Sequence, residues 1–147
     1  MQQKTHISIE GLIGSGKSTL LEELKQRFDI PVIQENVQNW NYLPLFYKDP
    51  KKYAYDLQME ILDDLQKSQS GHQIMITERS KISALFVFAD IQREQGNISE
   101  EQYQALLKKG HRISYPTDMI HLYMLPFEAL ERIQARGREC EAGITDD

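Results

Sequence analysis

Apolar residues recur along this chain with two alternating periods. His6–Ile9 reads as a short buried strand that stops at Gly11, and from Lys17 to Phe28 the residues Leu20, Leu21, Leu24 and Phe28 fall on one helical stripe. Pro31–Ile33 predicts a second short strand, with Glu35 just past its end. Residues 36–50 carry no period and are rich in aromatics, which predicts an irregular loop. A long helix is predicted over Pro50–Gln69, closed by Ser70–Gly71, followed by a strand over Gln73–Thr77 that leads into Glu78–Arg79–Ser80. The next helix runs from Lys81 to Gln95 and is stopped by Gly96–Asn97. On it Ala84, Phe88 and Ile91 form one stripe; Ile82, Leu85, Phe86 and Ala89 form a second, assigned to the core. Ser99 with Gln102 is a capping box, Asp118–Met124 predicts a fourth strand, and Pro126 starts a last helix.

Strands that alternate with helices imply an α/β fold of three layers, a parallel sheet covered by helices on both faces. Such sheets bind ligands at the C-terminal ends of their strands. Gly11, Glu35 and Glu78 each follow a predicted strand, so one sheet edge collects three chemically loaded positions.

Composition narrows the function classes. The 147 residues suit a single domain, taken here as 1–147, with ordinary hydrophobic (40%) and charged (27%) fractions. Repeats and low-complexity tracts are absent, the apolar runs are too short to span a bilayer, and Met1–Thr5 is polar, unlike a signal peptide, so no membrane partner is expected. A net charge of −5 and a pI near 5.4 argue against a general nucleic-acid binder. The lone Cys140 precludes an intrachain disulfide and points to a reducing, cytoplasmic setting.

Gly11-Leu12-Ile13-Gly14-Ser15-Gly16-Lys17-Ser18 fits G-x-x-x-x-G-K-[ST] at every fixed position, between a strand and an amphipathic helix. Glycines allow positive φ, successive N–H groups then converge on phosphate, and the helix N-terminus adds partial positive charge. Lys17 can reach the β and γ phosphates and Ser18 can ligate Mg²⁺. The loop therefore binds a nucleoside triphosphate, but motors, GTPases and small-molecule kinases share it.

Other residues bear on the use of that triphosphate. Glu35 is either a base for an acceptor hydroxyl or a surface carboxylate at a strand end. Glu78 and Arg79 either serve Mg²⁺ and the transferring phosphoryl group or form an ion pair that caps the following helix. Arg132, Arg136 and Arg138, beside Gly137, either close over phosphates as a lid or lie on a solvated helical face. Trp40, Phe46, Tyr47 and Phe88 are flat surfaces for a planar ring or simply packing. Gln58, on the face of Ile61, Leu62 and Leu65, can pair with a base edge through one donor and one acceptor.

In their order and spacing these segments resemble the deoxyribonucleoside kinase family. The resemblance runs from Glu10–Thr19 through Glu35–Trp40, Tyr47–Tyr53, Gln58 and Glu78–Ser80 to Glu131–Ile133 and Arg136–Arg138. It implies ATP as donor, with Mg²⁺, and a deoxyribonucleoside as acceptor. Glu35 would be the general base, and Arg79 would hold the 5′-hydroxyl and incoming phosphoryl group beside Lys17. Glu78 would join Ser18 at the metal. Trp40, Gln58 and Phe88 would surround the base, while Tyr47 and Glu141 would meet the sugar 3′-hydroxyl. Arg136 and Arg138 would belong to a lid over about 134–147, and monomers would pair as homodimers through helices. Asn36 replaces a proline usual in the family. Ala84 resembles thymidine-accepting relatives, although Leu85 replaces their arginine, so the expectation leans to pyrimidine or broad specificity. Members of the family continue with further helices and a strand, including part of the adenine site, so the C-terminal part of the fold is expected to be missing. Two alternatives stand beside this one: a nucleoside monophosphate kinase of the thymidylate kinase type, and a truncated nucleotide-binding or dimerisation module without catalysis.

Overall fold

A computed structural model describes residues 3–144; Met1, Gln2, the end of the expected lid at 145–147 and the Cys140 side chain lie outside the described residues. The elements are β1 (Thr5–Gly11), α1 (Lys17–Arg27), β2 (Val32–Ile33), α2 (Tyr42–Lys48), α3 (Pro50–Ser68), β3 (Ile74–Glu78), α4 (residues 81–94), α5 (Glu100–Gly110), β4 (Asp118–Leu122) and α6 (Pro126–Arg136). Single 3₁₀ turns lie at Val37–Asn39 and Glu139–Glu141. The strands form one parallel sheet in the order β2-β3-β1-β4, which puts β1 and its loop at the centre.

Alternation along β1 divides the chain between two cores. Ile7 and Ile9, with Ile76 and Val32, pack against Leu20, Leu21 and Leu24 of α1. Glu10 points the other way and reaches the start of α4, which packs with α3 and α5 around Ala54, Leu62, Leu85, Ala89 and Leu106. Lys81 closes this side: its buried ammonium donates to the carbonyls of Gly110 and Ile113 at the end of α5 and lies 3.5 Å from the centre of the Tyr115 ring. At the sheet edge Met119 and Ile120 of β4 point to opposite faces and stay half exposed.

Three features depart from the sequence pattern. Residues 36–50 are not an irregular loop but hold the 3₁₀ turn and α2. The first free N–H groups of α2, from Asn41 and Tyr42, donate to the Glu60 carboxylate of α3 at 2.8 and 3.0 Å, so the cap comes from a residue distant in sequence. Second, α4 passes through a π-helical turn over Ala84–Ala89. The extra residue in that turn breaks the 3.6 period, so Phe86, assigned to the core, is about half exposed, and Gln92 rather than Ile91 follows Ala84 and Phe88 into the cavity described below. The Tyr103 hydroxyl donates to the Leu85 carbonyl inside this turn. Gly110 lets α5 approach, because a Cβ there would stand 2.4 Å from Leu85 Cδ1. Third, β4 ends at Leu122, two residues short of the expected Met124.

His6 is buried on the polar face of β1, and its Nε2 lies 2.8 Å from Thr77 Oγ1. The Thr77 hydroxyl donates to the Arg79 carbonyl at 2.7 Å, so this network assigns the His6 proton to Nε2 and leaves Nδ1 without a partner. Burial, helped by the charge of Lys4, lowers the His6 pKa from 6.5 to about 4. The unfolded chain thus takes up this proton at a higher pH than the folded one. Stability is therefore expected to fall by about 3 kcal/mol from this group as pH drops from 6.5 to 4, with no effect above pH 7. Urea unfolding of wild type and His6→Gln across that range checks it; the variant should show the shallower decline.

Candidate active site

The phosphate loop is held open by its own backbone. Gly14 has φ 80° and Gly16 φ 95°, the left-handed values that glycine tolerates. Gly14 also lies against α6: a Cβ there would stand 2.6 Å from the Ala129 carbonyl oxygen and 3.2 Å from Ile133. Gly14→Ala should therefore push the loop off α6 and weaken ATP binding about tenfold or more, as strain of this kind costs 1 to 3 kcal/mol. Isothermal titration with ATP measures it.

Lys17 is buried at the head of α1, and its ammonium donates to the carbonyls of Leu12 (2.6 Å) and Gly11 (3.0 Å). Burial first, then the charge of Arg79, lowers its pKa from 10.5 to about 8. Leu12 itself faces solvent, whereas Ile13, Gly14, Gly16, Lys17, Ser18 and Thr19 line the main cavity.

Glu78, at the end of β3, joins the two sides of the site. One carboxylate oxygen accepts from the Ser18 hydroxyl at 3.0 Å, and the other accepts from the Glu35 backbone N–H at 3.0 Å. The Glu35 carboxylate in turn accepts from Arg79 Nη1 at 2.7 Å, with both side chains nearly buried. Burial raises the pKa of Glu35 above its ordinary value; Arg79 pulls it down, and the nearby charge of Glu78 adds to the rise. Arg79 has φ 62°, the one non-glycine residue with positive φ among the described residues. Its second nitrogen points to the Gly11 carbonyl at 3.3 Å, and its guanidinium lies 4.9 Å from the centre of the Phe88 ring.

A cavity of about 540 Å³ runs from this cluster between α2, α3, α4 and α6. Trp40, Phe46, Tyr47, Gln58, Ala84, Phe88 and Glu141 all line it, as do Glu35 and Arg79. Trp40 is fixed by its indole N–H, which donates to Asp64 at 3.2 Å. Gln58 is buried on α3 and lines the cavity, and its amide oxygen has no hydrogen-bond partner among the described residues. The expected lid residues also reach the cavity. Arg136 grips Glu141 through two bonds of 3.1 and 2.5 Å, with Arg138 at 3.7 Å from the same carboxylate.

Arg132, expected among the lid arginines, is on the cavity wall, together with two residues that the sequence pattern does not mark. Arg132 lies over the phosphate loop, its Nη1 3.3 Å from where a Gly16 Cβ would be, one helical turn before Arg136. Asp64 and Gln92 also line the cavity. Arg132 had a signal in that spacing; Asp64 and Gln92 read as ordinary polar positions on helices.

The fold and loop are those of a P-loop nucleotide-binding protein. A family model of deoxynucleoside kinases matches residues 7–147, and the chain belongs to that family. It is 36% identical over 150 residues to a deoxyadenosine kinase of Dictyostelium discoideum, covering 96% of this chain and 60% of that protein. It is 34% identical to putative kinase protein 029R of Invertebrate iridescent virus 3, covering 96% of this chain and 75% of that one. The fold matches the structure of deoxyadenosine kinase from M. mycoides, with a TM-score of 0.84 at 24% identity, over 97% of this chain and 75% of that one. The chain thus spans about 60% of the length of the Dictyostelium relative.

Proposed function

We propose that this protein transfers the γ-phosphate of ATP to the 5′-hydroxyl of a deoxyribonucleoside. The observation that carries the reading is the Glu35–Arg79 pair at 2.7 Å, set in one cavity with the phosphate loop at one end and Trp40, Gln58 and Phe88 at the other. Glu35 takes the proton of the 5′-hydroxyl as its oxygen bonds to the γ-phosphorus and the bond to the β-phosphate oxygen breaks. Arg79 stays beside both oxygens of that exchange. Lys17 leaves the loop carbonyls for the triphosphate, and Arg132, Arg136 and Arg138 supply the remaining positive charge. For Arg136 this means release from Glu141, which then faces the sugar with Tyr47.

Ser18 and Glu78 offer a hydroxyl and a carboxylate oxygen 3.0 Å apart beside the loop, a hard-oxygen pair suited to Mg²⁺ that keeps most of its shell for phosphate and water. Held by Ser18 and Glu78, Mg²⁺ would neutralise phosphate charge as the phosphoryl group is transferred.

Gln58 lines the cavity with an amide that can pair with a base edge, and the small Ala84 stands on the same wall as Phe88, so we read the acceptor as pyrimidine or broad. The exposed side chains of Phe86, Val87 and Ile91 on α4 would support pairing of two copies. No helix among the described residues is long and apolar enough to cross a membrane. A coupled assay with ATP and thymidine, deoxycytidine, deoxyadenosine, deoxyguanosine or thymidylate tests the reading. Turnover of one or more nucleosides is expected. Turnover of thymidylate alone would replace it with a monophosphate kinase, and nucleotide binding without any product with a non-catalytic module.

A further inference from the structure

Glu10, the residue before the phosphate loop, is a buried carboxylate that the scheme above does not use. It lines no part of the main cavity, and among the described residues no cation pairs with it. A buried carboxyl group is costly unless hydrogen bonds replace those it made to water. Two hydroxyls do so: Ser80 donates to Oε1 at 2.7 Å, and Ser83 donates to Oε2. The Ser80 oxygen also accepts from the Ile82 N–H at 3.2 Å and so caps α4. The carboxylate thereby fixes both the residue after Arg79 and the first turn of the helix that follows.

Arg79 is the strained residue of the site, at φ 62°, a conformation that persists only where its surroundings enforce it. Its N–H donates to the Ile9 carbonyl at 2.8 Å, and its own carbonyl accepts from Thr77. The end of β1 therefore grips the turn twice, through the Ile9 backbone on one side of Arg79 and through the Glu10 side chain on the other. We propose that Glu10 is a positioning residue for phosphoryl transfer: through Ser80 and Ser83 it holds the strained turn that aims the Arg79 guanidinium at Glu35 and at the phosphate loop. The inference rests on the kinase reading for its catalytic consequence, but its structural half stands apart from that reading.

Glu10→Gln keeps the shape but replaces one acceptor oxygen with a donor that faces a hydroxyl. A displaced Arg79 should lower kcat about 10- to 100-fold with little change in the nucleoside KM, since small misplacements of a catalytic group cost that much. On an Arg79→Gln background the same change should cost no more than about twofold, because nothing remains to be aimed. Fully additive losses would overturn the proposal, since a role confined to general stability does not depend on Arg79. A second readout needs no turnover. The Arg79 guanidinium protons, held by Glu35 and the Gly11 carbonyl, should give slowly exchanging signals in ¹H–¹⁵N spectra of the wild type and lose them in Glu10→Gln. Their retention in the variant would also overturn it. If the wild type turns over no nucleoside, the kinase reading fails, and the spectra still decide the role of Glu10. Should Glu10→Gln not fold, Ser80→Ala and Ser83→Ala remove the two donors singly and enter the same measurements with the same expected direction.

Discussion

Replacing Glu35 with glutamine is expected to lower nucleoside turnover roughly 10²- to 10⁴-fold, about 3 to 5 kcal/mol of barrier, while ATP still binds. Glutamine keeps the size and can still accept from Arg79, so the 2.7 Å contact survives in weaker form and the loss isolates the proton-accepting step. The environment of Glu35 suits that step. A carboxyl whose pKa is raised by burial is a better base at neutral pH than an exposed one. It must be ionised to act, so kcat/KM should fall as pH drops through a value above the ordinary carboxylate range, and Glu35→Gln should lose this acid limb. Steady-state rates over a pH series, with ATP affinity measured in parallel, provide the check. Near-normal turnover in the variant would remove Glu35 from the mechanism.

Arg79→Lys should cost roughly 10²- to 10³-fold in kcat, the range seen when one preorganised donor to a developing charge is lost. The charge remains, but an ammonium cannot span Glu35 and the Gly11 carbonyl as the guanidinium fork does. Arg79→Gln goes further and removes the positive charge that pulls Glu35 down. Its pKa should then climb, and the acid limb of the rate profile should move to higher pH. An acid limb unmoved in Arg79→Gln would show that Arg79 does not act on Glu35, whatever its effect on rate.

Much of this architecture is written in local pattern. The phosphate loop, the long α3 that starts at Pro50, and the Ser99–Gln102 capping box follow from neighbours a few residues apart, so one sequence suffices to find them. The same holds for the positions of Gly11, Glu35 and Glu78: a parallel sheet puts its strand ends on one edge, and the strands were legible as apolar runs. What pattern could not supply lies in contacts between distant segments. The N-terminus of α2 is capped by Glu60 from α3, and the π turn of α4 is matched by Tyr103 and Gly110 of α5, so neither has a signal in its own residues. The strained backbone of Arg79, the bridge that Glu78 makes from Ser18 to Glu35, and the grip of Glu10 on Ser80 and Ser83 each join residues more than 40 positions apart. The sequence by itself determined which chemical groups stand at the edge of the sheet. The tertiary structure alone decided how they face one another, because side-chain direction, burial and charge coupling depend on packing between elements, which no local period encodes.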